Sequence, residues 1–158
     1  MKRRYSFRRR NGNDLRGPVQ SVEVSYLVHA TEDSERLGEA IQLALGITSS
    51  PEEQELEGHF GNTIIRARHH LTGDSAASVL TSLVASLTAP ARKEALLKLE
   101  ESIDKHGILY LRLDKQSFLA GALVLSDGDA VRVRVKPRLF TLKGSAREFF
   151  RSALGGDS

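Results

Sequence analysis

The segment Ala130–Arg138, AVRVRVKPR, alternates valine with a cation: Arg132, Arg134 and Lys136 are interleaved with Val131, Val133 and Val135, and Arg138 follows just beyond. In an extended strand the valines share one face and the cations the other, with side chains on one face repeating about every 6.6–6.8 Å. That repeat is close to the spacing of successive phosphates along an extended nucleic-acid strand, so the row can track a polyanion. The same pattern also describes an ordinary solvated face, or a row paired with a neighbouring acidic strand. A second cationic cluster stands at the start of the chain. Residues 1–16 carry seven Lys and Arg against Asp14 alone, net +6, which leaves −3 on the remainder. Tyr5 and Phe7 interleave with the arginines there. Arg8, Arg9 and Arg10 can neutralise phosphates while such rings stack on unpaired bases. A targeting arm, a basic tail of a ribosome-associated protein and a start codon placed too far upstream are the other readings.

Residues with catalytic chemistry do not assemble into a motif. His69 and His70 are adjacent and point to opposite faces of a strand. His29, His59 and His106 fall in separate elements, and no helical HExxH-type pair is present. There is no Cys, no GxSxG elbow, no phosphate loop ending in GK[ST] and no dinucleotide fingerprint. The reading is therefore not an enzyme, with no metal and no cofactor. Asp114-Lys115 closes a strand in which Tyr110 and Arg112 share a face. Asp114 is expected to cap the next turn, and Lys115 or Arg112 to face ligand or solvent.

The elements that position these residues follow from periodicity. Val19–Ala30 alternates, with Val22, Val24, Tyr26 and Val28 on one face, as in a half-buried strand. Thr31 offers a cap to a helix over about Glu32–Leu45, stopped by Gly46. Asp74 or Ser75 opens a second helix to about Leu87, and Thr88-Ala89-Pro90 a third that ends at Gly107. Ile108–Leu113 reads as a strand followed by a short turn to Gly121. Ala122–Leu125 and Ala130–Lys136 read as two strands bracketing a Ser126–Asp129 hairpin loop. Ser145 with Glu148 is a capping box that opens a short helix carrying Phe149, Phe150 and Leu154.

Glu53–His70, EQELEGHFGNTIIRARHH, reads as a hairpin about Gly61-Asn62. A two-residue loop there sets Phe60 opposite Thr63, Glu57 opposite Arg66, Glu55 opposite Arg68 and Glu53 opposite His70. This register neutralises Arg66 and Arg68 as phosphate ligands and leaves the binding role to Arg132–Arg138.

At 158 residues the chain reads as one domain over 18–155 preceded by a basic, disordered arm over 1–17. No apolar run approaches the ~20 residues of a membrane span, and no secretory signal is present, so the expected location is cytoplasmic.

Three motifs stand in order: HATED (His29–Asp33), EGHFGN (Glu57–Asn62) and LYLRLDKQ (Leu109–Gln116), followed by DGDAVRVRVK. Together they resemble the small archaeal RNA-binding family described as a predicted exosome subunit, whose fold is similar to the large-subunit ribosomal protein that binds 5S rRNA. The resemblance spans about Val19–Lys136. Thr63 stands where the family pattern has Pro, and Ser117-Phe118-Leu119 departs from its small-residue and Tyr pattern. It implies an α+β fold, a largely antiparallel sheet with α-helices packed on one face. It also implies a non-catalytic RNA-binding protein of RNA processing, with RNA as ligand and exosome or ribosome-associated proteins as partners. The expected contacts are Arg132, Arg134, Lys136 and Arg138, with Arg112, Lys115 and Tyr110 nearby and Arg8, Arg9 and Arg10 in the arm. The competing reading is a protein-interaction adaptor or a homo-oligomer such as a homodimer, with Phe149, Phe150 or Phe118 as partner anchors.

Overall fold

The valine alternation of the first segment makes β1 (Val19–Val28), and in the computed structural model this strand lies at the centre of the sheet. The structure describes residues 17–142 and 144–156, so Arg8, Arg9 and Arg10 lie outside the described residues. The other strands are β2 (Glu52–Glu57), β3 (Thr63–Thr72), β4 (Leu109–Asp114) and β5 (Ala130–Pro137). They form a five-stranded sheet in the order β2-β3-β1-β5-β4, antiparallel throughout. Among the described residues six helices pack against it: α1 (Ser34–Leu45), α2 (Gly73–Ser86), α3 (Ala89–Leu97), α4 (Leu99–Ser102), α5 (Lys115–Ala120) and α6 (Ala146–Ala153). The α+β architecture is the one expected.

The helices cover one face of the sheet because the apolar residues of β1, β4 and β5 alternate onto that face. Val22, Val24, Tyr26, Leu109, Leu111, Leu113, Val131, Val133 and Val135 are all buried there. They meet Ala76, Val79, Leu80 and Leu83 of α2, and Leu37, Ile41 and Leu45 of α1. Each fully buried aliphatic side chain contributes about 1.5–3 kcal/mol. Among the described residues the opposite face carries no helix, and it holds the polar members of each alternation.

Local chemistry sets the element ends, with several differences from the sequence reading. Asp33, not Thr31, caps α1, its carboxylate accepting from Arg36 N. The third predicted helix is interrupted at Lys98, which leaves helical geometry at φ −99°, ψ 11°. Ala122–Leu125 does not form a ladder with β5. It runs along the outer edge of β4 instead, where Asp114 N donates to Val124 O and Ser126 N donates to Arg112 O. The expected Ser145–Glu148 capping box is present on α6. Phe150 and Phe118 are buried in the core and Phe149 packs against it, so none of the three is an exposed partner anchor.

The β2–β3 hairpin corrects the predicted register. Glu57 pairs with Thr63, Gln54 with Arg66 and Glu52 with Arg68, so the loop is the five residues 58–62. It is closed by Gly58 N donating to Asn62 O, and Gly61 takes a positive φ of 79°. The register is displaced by three residues. An odd displacement sends Glu53, Glu55 and Glu57 to the face opposite Arg66 and Arg68. Arg66 therefore has no glutamate across from it.

His69 alternates onto the core face and is buried, and neither of its ring nitrogens has a hydrogen-bond partner among the described residues. Burial holds its pKa below the ordinary histidine value. As pH falls through the ordinary histidine range, the unfolded chain binds a proton there before the folded one does. Stability is then lost at up to about 1.4 kcal/mol per pH unit. His69→Leu is expected to flatten the stability difference between about pH 7 and about pH 5 in denaturant unfolding. An unchanged pH slope would show that another group carries it.

Candidate nucleic-acid interface

The helix-free face is built by register. Along β3 it presents Arg66, Arg68 and His70, and along β5 Arg132, Arg134 and Lys136, all exposed. Between these rows β1 presents Ser21, Glu23, Ser25 and Leu27, half-buried. Cα pairing aligns Arg68, Ser25, Arg132 and Arg112 in one line across the sheet, and His70, Glu23, Arg134 and Tyr110 in the next. The strand alternation predicted for Arg132, Arg134 and Lys136 thus puts them on one open face beside Arg112 and Tyr110.

The cations on this face differ in what already holds them. Arg68 lies 3.6 Å from Glu23 and 3.4 Å from Glu52, and Arg134 lies 4.0 Å from Glu23. These are half-exposed pairs of the kind that contribute about 0–1 kcal/mol. The Arg134 guanidinium also sits 6.0 Å from the centroid of the Tyr110 ring, whose hydroxyl donates to Asp104 Oδ2. Arg138 stands past the end of β5 and donates to Gly17 O, tying the start of the described chain to the sheet. Among the described residues, Arg66 and Arg132 have no carboxylate partner.

Arg66, Arg112 and Arg132 converge from three strands on a cavity of about 150 Å³, lined also by Ser25, Leu27, Gly128 and Asp129. Arg112 and Arg132 are direct cross-strand neighbours. Like charges placed opposite each other in a ladder are destabilising. The one orienting contact is Arg112 Nη2, which donates to Gly128 O at 2.7 Å. An anion bound between the guanidiniums removes this repulsion and accepts charge-assisted hydrogen bonds from a planar fork suited to phosphate. Asp129 does not supply that anion. Its Oδ2 is taken by Lys115 at 2.7 Å and by His29 at 3.1 Å.

Lys115 is therefore not placed on the open face. Asp114 caps α5 by accepting from Ser117 N, as expected, and the helix start turns Lys115 inward. Its side chain is 4% exposed, and Nζ donates to Leu27 O at 2.6 Å, Glu32 Oε1 at 2.8 Å and Asp129 Oδ2. All three donors of the ammonium are thereby engaged. Glu32 also accepts from His29 N at 2.9 Å. Burial raises the pKa of both carboxylates, but hydrogen bonds and charge outweigh it and hold both below their ordinary values. For Glu32 these come from the His29 backbone and Lys115, and for Asp129 from Lys115 and then His29. His29, Glu32 and Asp129 have the chemistry of a cation site. The ammonium of Lys115 already stands between the two carboxylates, in the place a metal ion would take.

Two parts of this arrangement escaped the sequence reading. Arg66 was set aside through the wrong hairpin register. The Lys115 network joins HATED, LYLRLDKQ and DGD, motifs separated along the chain that meet at the end of β1. Their shared ability to place one lysine against two acids was a signal that the linear spacing did not reveal.

Comparison with known proteins agrees with this chemistry. Residues 21–137 match a family model described as RNA binding. The chain is 31% identical over 135 residues to RNA-binding protein PAB1135 of Pyrococcus abyssi, covering 81% of this chain and 88% of that one. Its fold is similar to that of Mth689, a DUF54 protein from Methanothermobacter thermautotrophicus. The TM-score there is 0.70 at 26% identity, over 87% of this chain and 98% of the other. AF2318 from Archaeglobus fulgidus superposes with a TM-score of 0.70 at 30% identity, over 85% of this chain and 99% of that one. The match over most of the described domain places the chain in this group: it belongs to the RNA-binding family.

Proposed function

We propose that this protein is a non-catalytic RNA-binding module of archaeal RNA processing that holds the phosphate backbone on the open face of its sheet. The observation that carries this reading is the convergence of Arg66, Arg112 and Arg132 on one cavity, none of the three in an ion pair among the described residues. Arg134 and Lys136 extend the cation row along β5. Tyr110 and Arg138 stand at its margins, and the arm with Arg8, Arg9 and Arg10 adds affinity. Lys115 contributes by shaping the end of β1 rather than by touching RNA.

Binding through phosphates is expected to be steeply salt-dependent. Four contacts, from Arg66, Arg112, Arg132 and Lys136, give a log–log slope of roughly −3 to −4. Fluorescence titration of labelled RNA at several salt concentrations measures it, and a slope near zero overturns the assignment. The exosome association implied by the motif resemblance belongs to the same proposal. Co-sedimentation of the purified protein with exosome subunits, with and without RNA, tests it. Absence of RNA cleavage in the presence of divalent metal is the expected result for a module without catalytic chemistry.

A further inference from the structure

The open face carries two cationic rows separated by one strand. β3 and β5 each carry a row of long cationic or imidazole side chains, Arg66, Arg68 and His70 on one and Arg132, Arg134 and Lys136 on the other. β1 separates them, so the rows run about 9–10 Å apart. The floor between them is formed by Ser21, Glu23 and Ser25, with Leu27 at the Arg66 end. Glu23 bridges the rows through Arg68 and Arg134.

The face is also poor in stacking surfaces. Among the outward residues of the five strands, Tyr110 is the one Phe, Tyr or Trp. It lies on the outer strand β4, with its hydroxyl engaged by Asp104 and its ring beside Arg134. Proteins that hold single-stranded RNA stack its exposed bases on aromatic rings, and the strands of this face offer one edge tyrosine, the exposed Phe60 and Phe140 standing in the segments beyond the strand ends. A duplex hides its base faces. In A-form RNA the minor groove is wide and shallow, edged by two phosphate strands and lined by 2′-hydroxyls.

We propose that the ligand of this face is double-stranded RNA, bound across its minor groove. The β3 and β5 cations take the two phosphate strands, and the Ser21, Ser25 and Glu23 floor takes the 2′-hydroxyls. Glu23 is an acceptor for those hydroxyls, which DNA lacks. Its pairs with Arg68 and Arg134 are half-exposed and open to exchange with phosphate. The inference rests on the RNA-binding reading above.

The test uses the full chain at one fixed salt concentration. Its probes are an RNA duplex of about 16 base pairs, one of its separated strands, and a DNA duplex of the same sequence. The RNA duplex is expected to bind at least about tenfold more tightly than either competitor. A single strand that binds as tightly as the duplex overturns the duplex assignment and leaves the RNA-binding reading standing. Equal binding of RNA and DNA duplexes overturns it by removing the 2′-hydroxyl. Failure of all three to bind overturns the RNA-binding reading itself. Ser21→Ala with Ser25→Ala, both on half-buried strand positions, is expected to narrow the RNA-over-DNA ratio. An unchanged ratio overturns the role of the floor.

Discussion

Replacing Arg66 and Arg132 together with alanine is expected to weaken RNA binding by about a hundredfold. Each guanidinium makes a charge-assisted contact of about 1.5 kcal/mol or more, or roughly tenfold in affinity. The two line one cavity, so their effects need not add. The single variants and the double, measured together, give the coupling. Folding is expected to survive, because both side chains are exposed on the face opposite the core and neither is in an ion pair among the described residues. Relief of the repulsion between Arg112 and Arg132 adds a small gain in stability. Arg36→Ala changes the net charge by the same unit as one of these substitutions, but on the helical layer, where Arg36 is exposed. It is expected to leave affinity within about twofold, since charges beyond a Debye length of about 8–10 Å are largely screened. Equal losses from Arg36→Ala and Arg132→Ala would show a diffuse charge effect and no defined face.

Lys115→Met carries the largest expected effect on stability, a loss of about 3 kcal/mol. The ammonium is 4% exposed, and removing it leaves Glu32 and Asp129 side by side without a counter-charge and Leu27 O without its donor. Breaking a buried pair costs about 3–5 kcal/mol, and the lower end applies because Asp129 is 48% exposed and partly screened. For a chain of this size the change corresponds to roughly 6–12 °C in Tm. Adding Glu32→Gln and Asp129→Asn to Lys115→Met is expected to recover part of the loss by removing the unpaired charges. The pH dependence has a definite sign. Both carboxylates are held below their ordinary values in the folded state. Their contribution is therefore complete above the ordinary carboxylate range and disappears as pH falls through the folded values. The gap between wild type and Lys115→Met should close in acid. A loss under about 1 kcal/mol at neutral pH would reduce the network to an ordinary surface pair. Below its melting range the variant is expected to lose less RNA affinity than Arg132→Ala, because Lys115 acts on the face only through Asp129.

The two predictions concern neighbouring groups with opposite roles. Asp129 lies on the wall of the arginine cavity and is also the partner of Lys115 and His29. Lys115 shares one positive charge between Glu32 and Asp129, so the carboxylate beside the guanidiniums is compensated only in part. The buried network thus has an electrostatic consequence for the binding face while making no contact with ligand.

The sequence by itself determined the parts of this protein that depend on neighbours along the chain. Valine–polar alternation requires that Arg132, Arg134 and Lys136 share a face wherever the strand lies, and that Tyr110 and Arg112 do the same. Ser145 with Glu148 forms its capping box within one turn of helix. The apolar stripes of α1 and α2, set against half-apolar strands, already implied a sheet with helices on one face. What only the tertiary structure decided is which rows meet and which charges are neutralised. Strand order brings β3, β1, β5 and β4 side by side, and that order depends on pairing between segments distant in the chain. The β2–β3 register depended on how many residues the loop takes. A loop of five in place of two changed the parity and returned Arg66 to the binding face. Lys115 reads from sequence as one more cation at a strand end. Its burial follows from the fold, which brings Leu27, Glu32 and Asp129 within hydrogen-bond distance of a single ammonium.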